Sequence, residues 1–176
     1  MIEVEKGIFR FDGELNTREK TLILVHPWFP IHYEEPYEVF PVGFLGFFGF
    51  NKPGYLKNLE KLLSLHKGNK FVFEENSRVQ ETAEKIALLS GRREGLYLTA
   101  TFDDDKASSV PLNTDYKSIA NLLRRFGKKL IFAGGYIYDR NMDNRGCLGG
   151  VYDSLKETGF AVKLLRGGCV SLVGDD

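Results

Sequence analysis

The chain has 176 residues, of which 43% are hydrophobic, and its 24 basic residues balance its 24 acidic residues. This length builds one core of ordinary size but not two comfortable domains, so we predict a single domain over residues 1–176. The balanced charge argues against nucleic acid or an anionic membrane surface as a partner, and no apolar run is long enough to span a bilayer.

Cysteine and histidine are too scarce and too widely spaced for a disulfide framework or a zinc site. The sequence holds two cysteines, and His26, His32 and His66 form no HxxxH or HxH element. We therefore predict no metal and no cofactor, and we expect a reduced, cytoplasmic setting. The charged start, MIEVEKGIFRFDGE, predicts that no signal peptide is present.

In chain order, the first predicted elements are a short hairpin or edge strand at residues 2–12 and a fully buried strand, LILV, at 22–25. Because Pro27 cannot donate to a central ladder, we place His26 at the carboxyl end of this strand. Open α/β sheets bind their ligands at that edge. His26 is therefore a candidate site residue, although it equally suits a simple strand-end hydrogen bond.

The next stretch, residues 27–54, is predicted to be an aromatic-rich loop insertion. It carries five prolines, which are typical of a loop, and the run FLGFFGF, which is strongly apolar. One interpretation is a loop folded down onto the core. The other is an exposed patch that covers a pocket or joins subunits, and on this interpretation we predict a homo-oligomer formed through residues 39–50.

Helices and strands then alternate along the chain. The predicted elements are a helix at 55–67, a strand at 70–76, a helix that has a capping box at Ser77 and Gln80 and ends at Gly91, a strand at 95–102, and a helix capped by Thr114. Such alternation with short links predicts an α/β fold. We expect a doubly wound, mainly parallel sheet of five to six strands, with helices on both faces in a three-layer arrangement.

The last part of the chain, residues 128–172, has the pattern of one βαβ unit. The apolar run LIFA predicts a buried strand that ends at Gly134-Gly135, and Gly159 is expected to end the helix that follows. Cys147 lies at the start of that helix. The positive end of a helix dipole favours a thiolate over a thiol, so this position is the sharpest chemical feature of the sequence.

Cys147 has two interpretations. It recurs with Val151 and Leu155 at a spacing of four residues, which predicts an inert thiol on the helix face that meets the sheet. Alternatively it is a nucleophile whose proton passes to a neighbouring base and then to a leaving group. Backbone amides before the helix then hold the oxyanion.

Polar residues follow two other predicted strands. They are His26 and the segment 103–106, and they are expected to share one edge with Cys147 because the carboxyl ends of parallel strands lie together. A Lys106 ammonium beside the thiol favours the thiolate. The structural alternative for the acidic residues of this segment is a solvated turn.

Three segments carry a resemblance to a known family. They are LILVHPWF, KASSVPLNTDYKSIANLLRRFGKKLIFAGG and CLGGVYDSLKETGFAV. Together they resemble the isochorismatase-like cysteine hydrolases over the chain from Thr21 to Val162. The resemblance implies a six-stranded, mainly parallel α/β fold, usually oligomeric, that hydrolyses amides or related C–N bonds with an Asp-Lys-Cys triad. Lys106 and Cys147 match this triad, and His26 stands where the family has its aspartate.

Two functional hypotheses result. The first is a cysteine hydrolase of unknown substrate, with Cys147, Lys106 and His26 as catalytic residues and with catalysis retained, altered or lost. Residues that flank these three are expected to bind a small-molecule substrate: Trp28, Asp103, Tyr136, Arg145 and Gly146. The second hypothesis is a non-catalytic α/β domain that binds a small ligand or a protein through the same sheet edge.

Overall fold

A computed structural model describes residues 1–28, 52–100, 116–137 and 146–171 of the chain. The strands are β1 (Ile2–Glu5), β2 (Ile8–Arg10), β3 (Thr21–Val25), β4 (Lys70–Glu74), β5 (Leu96–Ala100), β6 (Lys129–Ile137) and β7 (Ala161–Ser171). The helices are α1 (Lys52–Leu65), α2 (Val79–Ser90), α3 (Tyr116–Phe126) and α4 (Gly146–Glu157). The predicted α/β class is confirmed.

The strands form one sheet of seven in the spatial order β1-β2-β5-β4-β3-β6-β7. The five strands from β3 onward are parallel to one another, whereas β1 and β2 form an antiparallel hairpin whose second strand pairs antiparallel with β5. The sheet has seven strands instead of the predicted five to six, because the amino-terminal segment contributes two strands to it.

Strand β3 lies at the centre of the parallel part. The chain leaves it to build β4 and β5 on one side, then crosses over to build β6 and β7 on the other. The sheet therefore changes its direction of growth between β3 and β6, and open α/β sheets have a crevice at such a point, outside the carboxyl ends of the strands. His26 follows β3 directly, so it lies at the carboxyl end of the strand where the growth of the sheet changes direction.

The core follows from the apolar strand runs. All five residues of β3 and all five of β4 are buried, as expected of central strands that are covered on both faces. Helix α1 presents Tyr55, Leu59 and Leu63 to this core at a spacing of four residues, and all three are buried. Helix α1 packs against α2, and α3 packs against α4. None of the helices in the described ranges is long and apolar enough to cross a membrane.

The predicted glycine turn after LIFA is wrong. Strand β6 continues through Gly134 and Gly135, where it pairs with Val25 on one side and Cys169 on the other. Gly134 has φ 116, and a Cβ at this position would lie 2.0 Å from the Val25 carbonyl oxygen. The glycine therefore permits a close approach of two backbones inside the sheet, and it does not end the strand.

One helix start and one helix cap differ from prediction, and two helix ends agree with it. Helix α1 begins three residues early, at Lys52 instead of at residue 55. Helix α2 begins at Val79, as VQETAEKIALLSG predicts, but Arg78 is its N-cap, without a side-chain cap hydrogen bond, because residues 76–78 form a 3₁₀ turn; the predicted capping box is therefore wrong. Gly91 and Gly159, both with positive φ, end α2 and α4 as predicted.

Candidate functional site

The site begins with His26, which the chain holds in a strained conformation at the end of β3. Its φ is 40°, and it is the one non-glycine residue with a positive φ in the described parts of the chain. Its amide donates to the Phe73 carbonyl oxygen at 2.9 Å, which extends the pairing with β4, and its side chain is 2% exposed. Strain of this kind persists only where the surroundings enforce it, and it concentrates at functional sites.

Glu74, the last residue of β4, fixes the His26 ring. The Nδ1 atom of His26 and the Oε1 atom of Glu74 are 2.9 Å apart, and both residues are buried. A carboxylate can only accept, so Nδ1 carries the proton of this bond and Nε2 is left for another partner. The carboxylate also accepts from the Glu75 amide at 3.0 Å and from the Thr82 hydroxyl at 2.9 Å.

These donors keep Glu74 ionised although it is buried. Burial alone would raise the pKa of Glu74, but the hydrogen bond and charge of His26, the Glu75 amide and the Thr82 hydroxyl outweigh it and hold the pKa below its ordinary value. The Glu74 carboxylate therefore places a negative charge next to Nδ1 of His26 at neutral pH.

Cys147 is the third member of the cluster. It is the second residue of α4, after Gly146 with φ 68, and it is 7% exposed. Its side chain hydrogen-bonds to His26. Burial disfavours a charged imidazole, but the hydrogen bonds and electrostatic interactions with Cys147 and Glu74 outweigh it and raise the pKa of His26 to about 10. The surroundings of His26 thus favour its imidazolium form.

The chemical capacity of this arrangement is that of a Cys-His-Glu triad. It supplies a nucleophile, a base within hydrogen-bond reach of it, and a third group that orients the base. The first amides of α4 have no partner inside the helix, and such amides stabilise an oxyanion next to a nucleophile at a helix start.

Other polar groups near the triad remain neutral at neutral pH. The Tyr55 hydroxyl donates to the Pro27 carbonyl oxygen at 2.6 Å, and burial raises its pKa well above the ordinary value. Tyr116 stacks on Phe73 at a centroid distance of 6.3 Å, and burial raises its pKa to about 12. Burial also raises the pKa of Cys169 to about 12, so the second cysteine offers no thiolate.

The structure brings some of the predicted site residues together. His26, Gly146 and Cys147 meet at the carboxyl edge, and their proposed roles remain predictions. Trp28 is 2% exposed and belongs to the core, with the Lys85 ammonium 4.4 Å from its ring centroid, so substrate binding by Trp28 also remains a prediction. The predicted site residues that lie outside the described residues are Lys106, Asp103 and Arg145.

Two further predictions concern parts that the structure does not describe. Tyr136 lies in β6, but only its backbone is described. The aromatic segment 39–50 lies outside the described residues, so the predicted oligomer contact is not tested.

Sequence reasoning missed Glu74. The signal was present, because Glu74 ends a buried apolar strand in the same way that His26 does, and β4 is the strand that neighbours β3. The rule that selected His26 therefore selects Glu74 as soon as the strand order is known. The acidic run at 103–105 is the more conspicuous signal in the sequence, but it lies outside the described residues.

Within the described ranges, no group of three or more His, Cys, Asp or Glu side chains is arranged to hold a metal ion. Comparison with known proteins found no matching family model, no matching curated protein and no matching solved structure. The feature of the described residues that indicates a function is the contact of His26 with both Cys147 and Glu74.

Proposed function

We propose that this chain is an isochorismatase-like cysteine hydrolase that cleaves an amide or a related C–N bond, with Cys147 as its nucleophile. The observation that carries the proposal is the His26 imidazole, which hydrogen-bonds to Cys147 and to the Glu74 carboxylate. In this proposal Glu74 orients the His26 ring, a role for which the sequence resemblance names no residue.

The proposed reaction proceeds in two steps. The Cys147 thiolate attacks the substrate carbonyl carbon, a C–S bond forms, and the carbonyl π electrons move to the oxygen, which faces the first amides of α4. As the oxyanion collapses, the C–N bond breaks, and His26 donates its Nε2 proton to the leaving nitrogen. Water then attacks the thioester with His26 as its base, which releases the acid and restores the thiolate.

The fold supports the proposal through the position of the triad. We propose that the five parallel strands form a doubly wound, three-layer core and that the crevice between β3 and β6 holds the substrate. His26 follows β3, Glu74 ends β4, and Cys147 starts the helix after β6. Three elements that are distant in sequence thus contribute one residue each to the same edge.

One observation favours the alternative, a non-catalytic domain that binds a small ligand or a protein at this edge. Cys147 is only 7% exposed, and it shares its buried helix face with Val151 and Leu155, as an inert core thiol would. A nucleophile has to be reached by its substrate, so access to the thiol is the property that separates the two functions.

The proposal extends to setting and assembly. We propose a cytoplasmic protein, because a reduced thiol is required for the chemistry. We also propose a homo-oligomer formed through residues 39–50 and a small-molecule substrate. Sedimentation of the purified protein tests the oligomer, and a monomer at micromolar concentration would contradict it.

Iodoacetamide labelling tests the function. In the folded protein at pH 6.5, we expect Cys147 to be alkylated at least about tenfold faster than Cys169 or a free peptide thiol, because only Cys147 faces an imidazolium. Mass spectrometry of the two cysteine peptides gives both rates from one sample. Full labelling after denaturation is the control that both thiols were reduced. Protection of Cys147 until the protein unfolds would refute the hydrolase hypothesis and support the non-catalytic binding domain.

A further inference from the structure

The buried face of α2 contains one residue that its packing does not require. The buried residues of this helix are Val79, Thr82, Ala83, Ile86 and Ala87. Thr82 is the polar exception and is 2% exposed. Valine has nearly the same shape and better suits an apolar site, so packing alone gives no reason for a hydroxyl here.

The hydroxyl is directed at the triad. Thr82 Oγ1 donates to Glu74 Oε2 at 2.9 Å, while Glu74 Oε1 contacts Nδ1 of His26 at 2.9 Å. The two carboxylate oxygens are thus held separately, one by the helix and one by the imidazole. The Glu75 amide, at 3.0 Å from Oε1, is the remaining donor to this carboxylate among the described residues.

We propose that Thr82 is a positioning residue of the triad, which fixes the Glu74 carboxylate in the orientation and charge state that hold His26 as the partner of Cys147. The role rests on the proposed function, but it acts through Glu74 and requires no contact with substrate. Without the hydroxyl, Oε2 would be a buried carboxylate oxygen that has no donor among the described residues, and such a group favours the protonated acid. A neutral Glu74 no longer favours the imidazolium.

Two variants separate this role from packing. Thr82→Val keeps the shape and removes the hydroxyl, whereas Thr82→Ser keeps the hydroxyl and removes a methyl group. We expect Thr82→Val to lower the proton affinity of His26 about tenfold, the effect of one hydrogen bond to a charged group. Thr82→Ser should behave like the wild-type protein, although it loses a methyl group from the core.

The measurement is a nitrogen NMR titration of the imidazole of His26, which does not depend on activity. The chain has three histidines, so the His26 signal is assigned by its loss in His26→Asn. A titration of Thr82→Val that coincides with that of Thr82→Ser would overturn the proposal. If Thr82→Val does not fold, the same comparison is made with Thr82→Ala, which has no hydroxyl and is smaller.

Iodoacetamide labelling at pH 6.5 separates the role of Thr82 from the hydrolase itself. We expect fast labelling of Cys147 in both variants, because a tenfold fall from a pKa of about 10 leaves His26 protonated at this pH. Fast labelling in both variants together with coincident NMR titrations would remove Thr82 from the triad and leave the hydrolase standing. Slow labelling of Cys147 in the wild-type protein would refute the hydrolase, while the NMR titration would still report whether Thr82 controls His26.

Discussion

The two ends of β4 each bury an ionisable side chain, but only the side chain at the carboxyl end has oppositely charged and hydrogen-bonding partners among the described residues. At the carboxyl end, Glu74 accepts from His26, from the Glu75 amide and from Thr82. At the amino end, Lys70 is 2% exposed, and no carboxylate in the described ranges pairs with it. Burial, together with the charges of Arg92 and Lys67, lowers the pKa of Lys70 to about 8.

The two residues show how the partners of a buried side chain decide whether it stays ionised. Where donors converge, the charge is retained and becomes usable, as in the Glu74 carboxylate. Where they do not converge, the group shifts toward its neutral form and gains no chemical partner. Since both residues lie on the same strand and are equally buried, burial by itself does not identify a site; a set of oriented partners does.

The strongest test of the sheet edge that carries Glu74 and His26 is Gly134→Ala in β6. A Cβ there would lie 2.0 Å from the carbonyl oxygen of Val25, the residue that precedes His26, and Gly134 has a φ of 116°. We expect a loss of more than about 4 kcal/mol in the free energy of unfolding, because backbone has to move on both strands. Urea unfolding at pH 7 measures it.

Gly127→Ala is the matched control for this change. Gly127 has a φ of 126°, but a Cβ added there would meet no atom within 4 Å, so only the backbone strain remains. We expect a loss of about 1–2 kcal/mol there. Similar losses in the two variants would mean that the close approach of β3 and β6 is unimportant for stability and for the shape of the triad edge.

Glu74→Gln tests the charge at the carboxyl end. The side chain keeps its size, but a buried imidazolium loses its carboxylate, so we expect a loss of about 3 kcal/mol at pH 7. The pKa of His26 should fall from about 10 toward or below its ordinary value of 6.5, and the labelling of Cys147 at pH 6.5 should slow. Glu84→Gln on the exposed side of α2 is the control, with an expected change within about 0.5 kcal/mol. Equal stability of the two variants would show that Glu74 is not a buried charge partner.

The elements of this fold could be predicted from sequence because their signals are local. LILV, LIFA and the alternation of helices with strands depend on residues that are adjacent in the chain, and so does Gly159 at the end of α4. His26 and Cys147 were found because each lies at the boundary of such an element.

The partner of His26 could not be predicted in the same way. Glu74 is 48 residues from His26, and their contact depends on β4 being the neighbour of β3, which no local pattern specifies. The prediction that β6 ends at Gly134 is wrong for a similar reason. Its positive φ is compatible with a turn, and only the proximity of the Val25 carbonyl explains why glycine occurs within a strand. Thr82 lies on an apolar helix face, and its role can be recognised only from its hydrogen bond to Glu74.

The last expected effect is at the amino end, where Lys70→Met removes a buried charge that no carboxylate of the described residues pairs with. Below pH 8 the folded protein holds Lys70 charged in a poor environment, so we expect the variant to be more stable by about 1–2 kcal/mol. The folded pKa, about 8, lies below the ordinary value of 10.5. The unfolded state therefore binds more protons between these values, and Lys70 makes the stability of the wild-type protein rise with pH over that range. The advantage of the variant should disappear as the pH approaches 10.5.

His26 contributes with the opposite sign. Its pKa is raised from 6.5 to about 10, so its contribution is complete below pH 6.5 and is lost as the pH rises toward 10. In the wild-type protein the gain from Lys70 offsets part of this loss between pH 8 and 10. In Lys70→Met the offset is absent, so the free energy of unfolding should fall more steeply with pH across this window. Urea unfolding of both proteins at pH 6, 8 and 10 measures the slopes. Parallel slopes would mean that Lys70 titrates alike in the folded and unfolded chains, and the contrast between the two ends of β4 would then be one of geometry and not of charge.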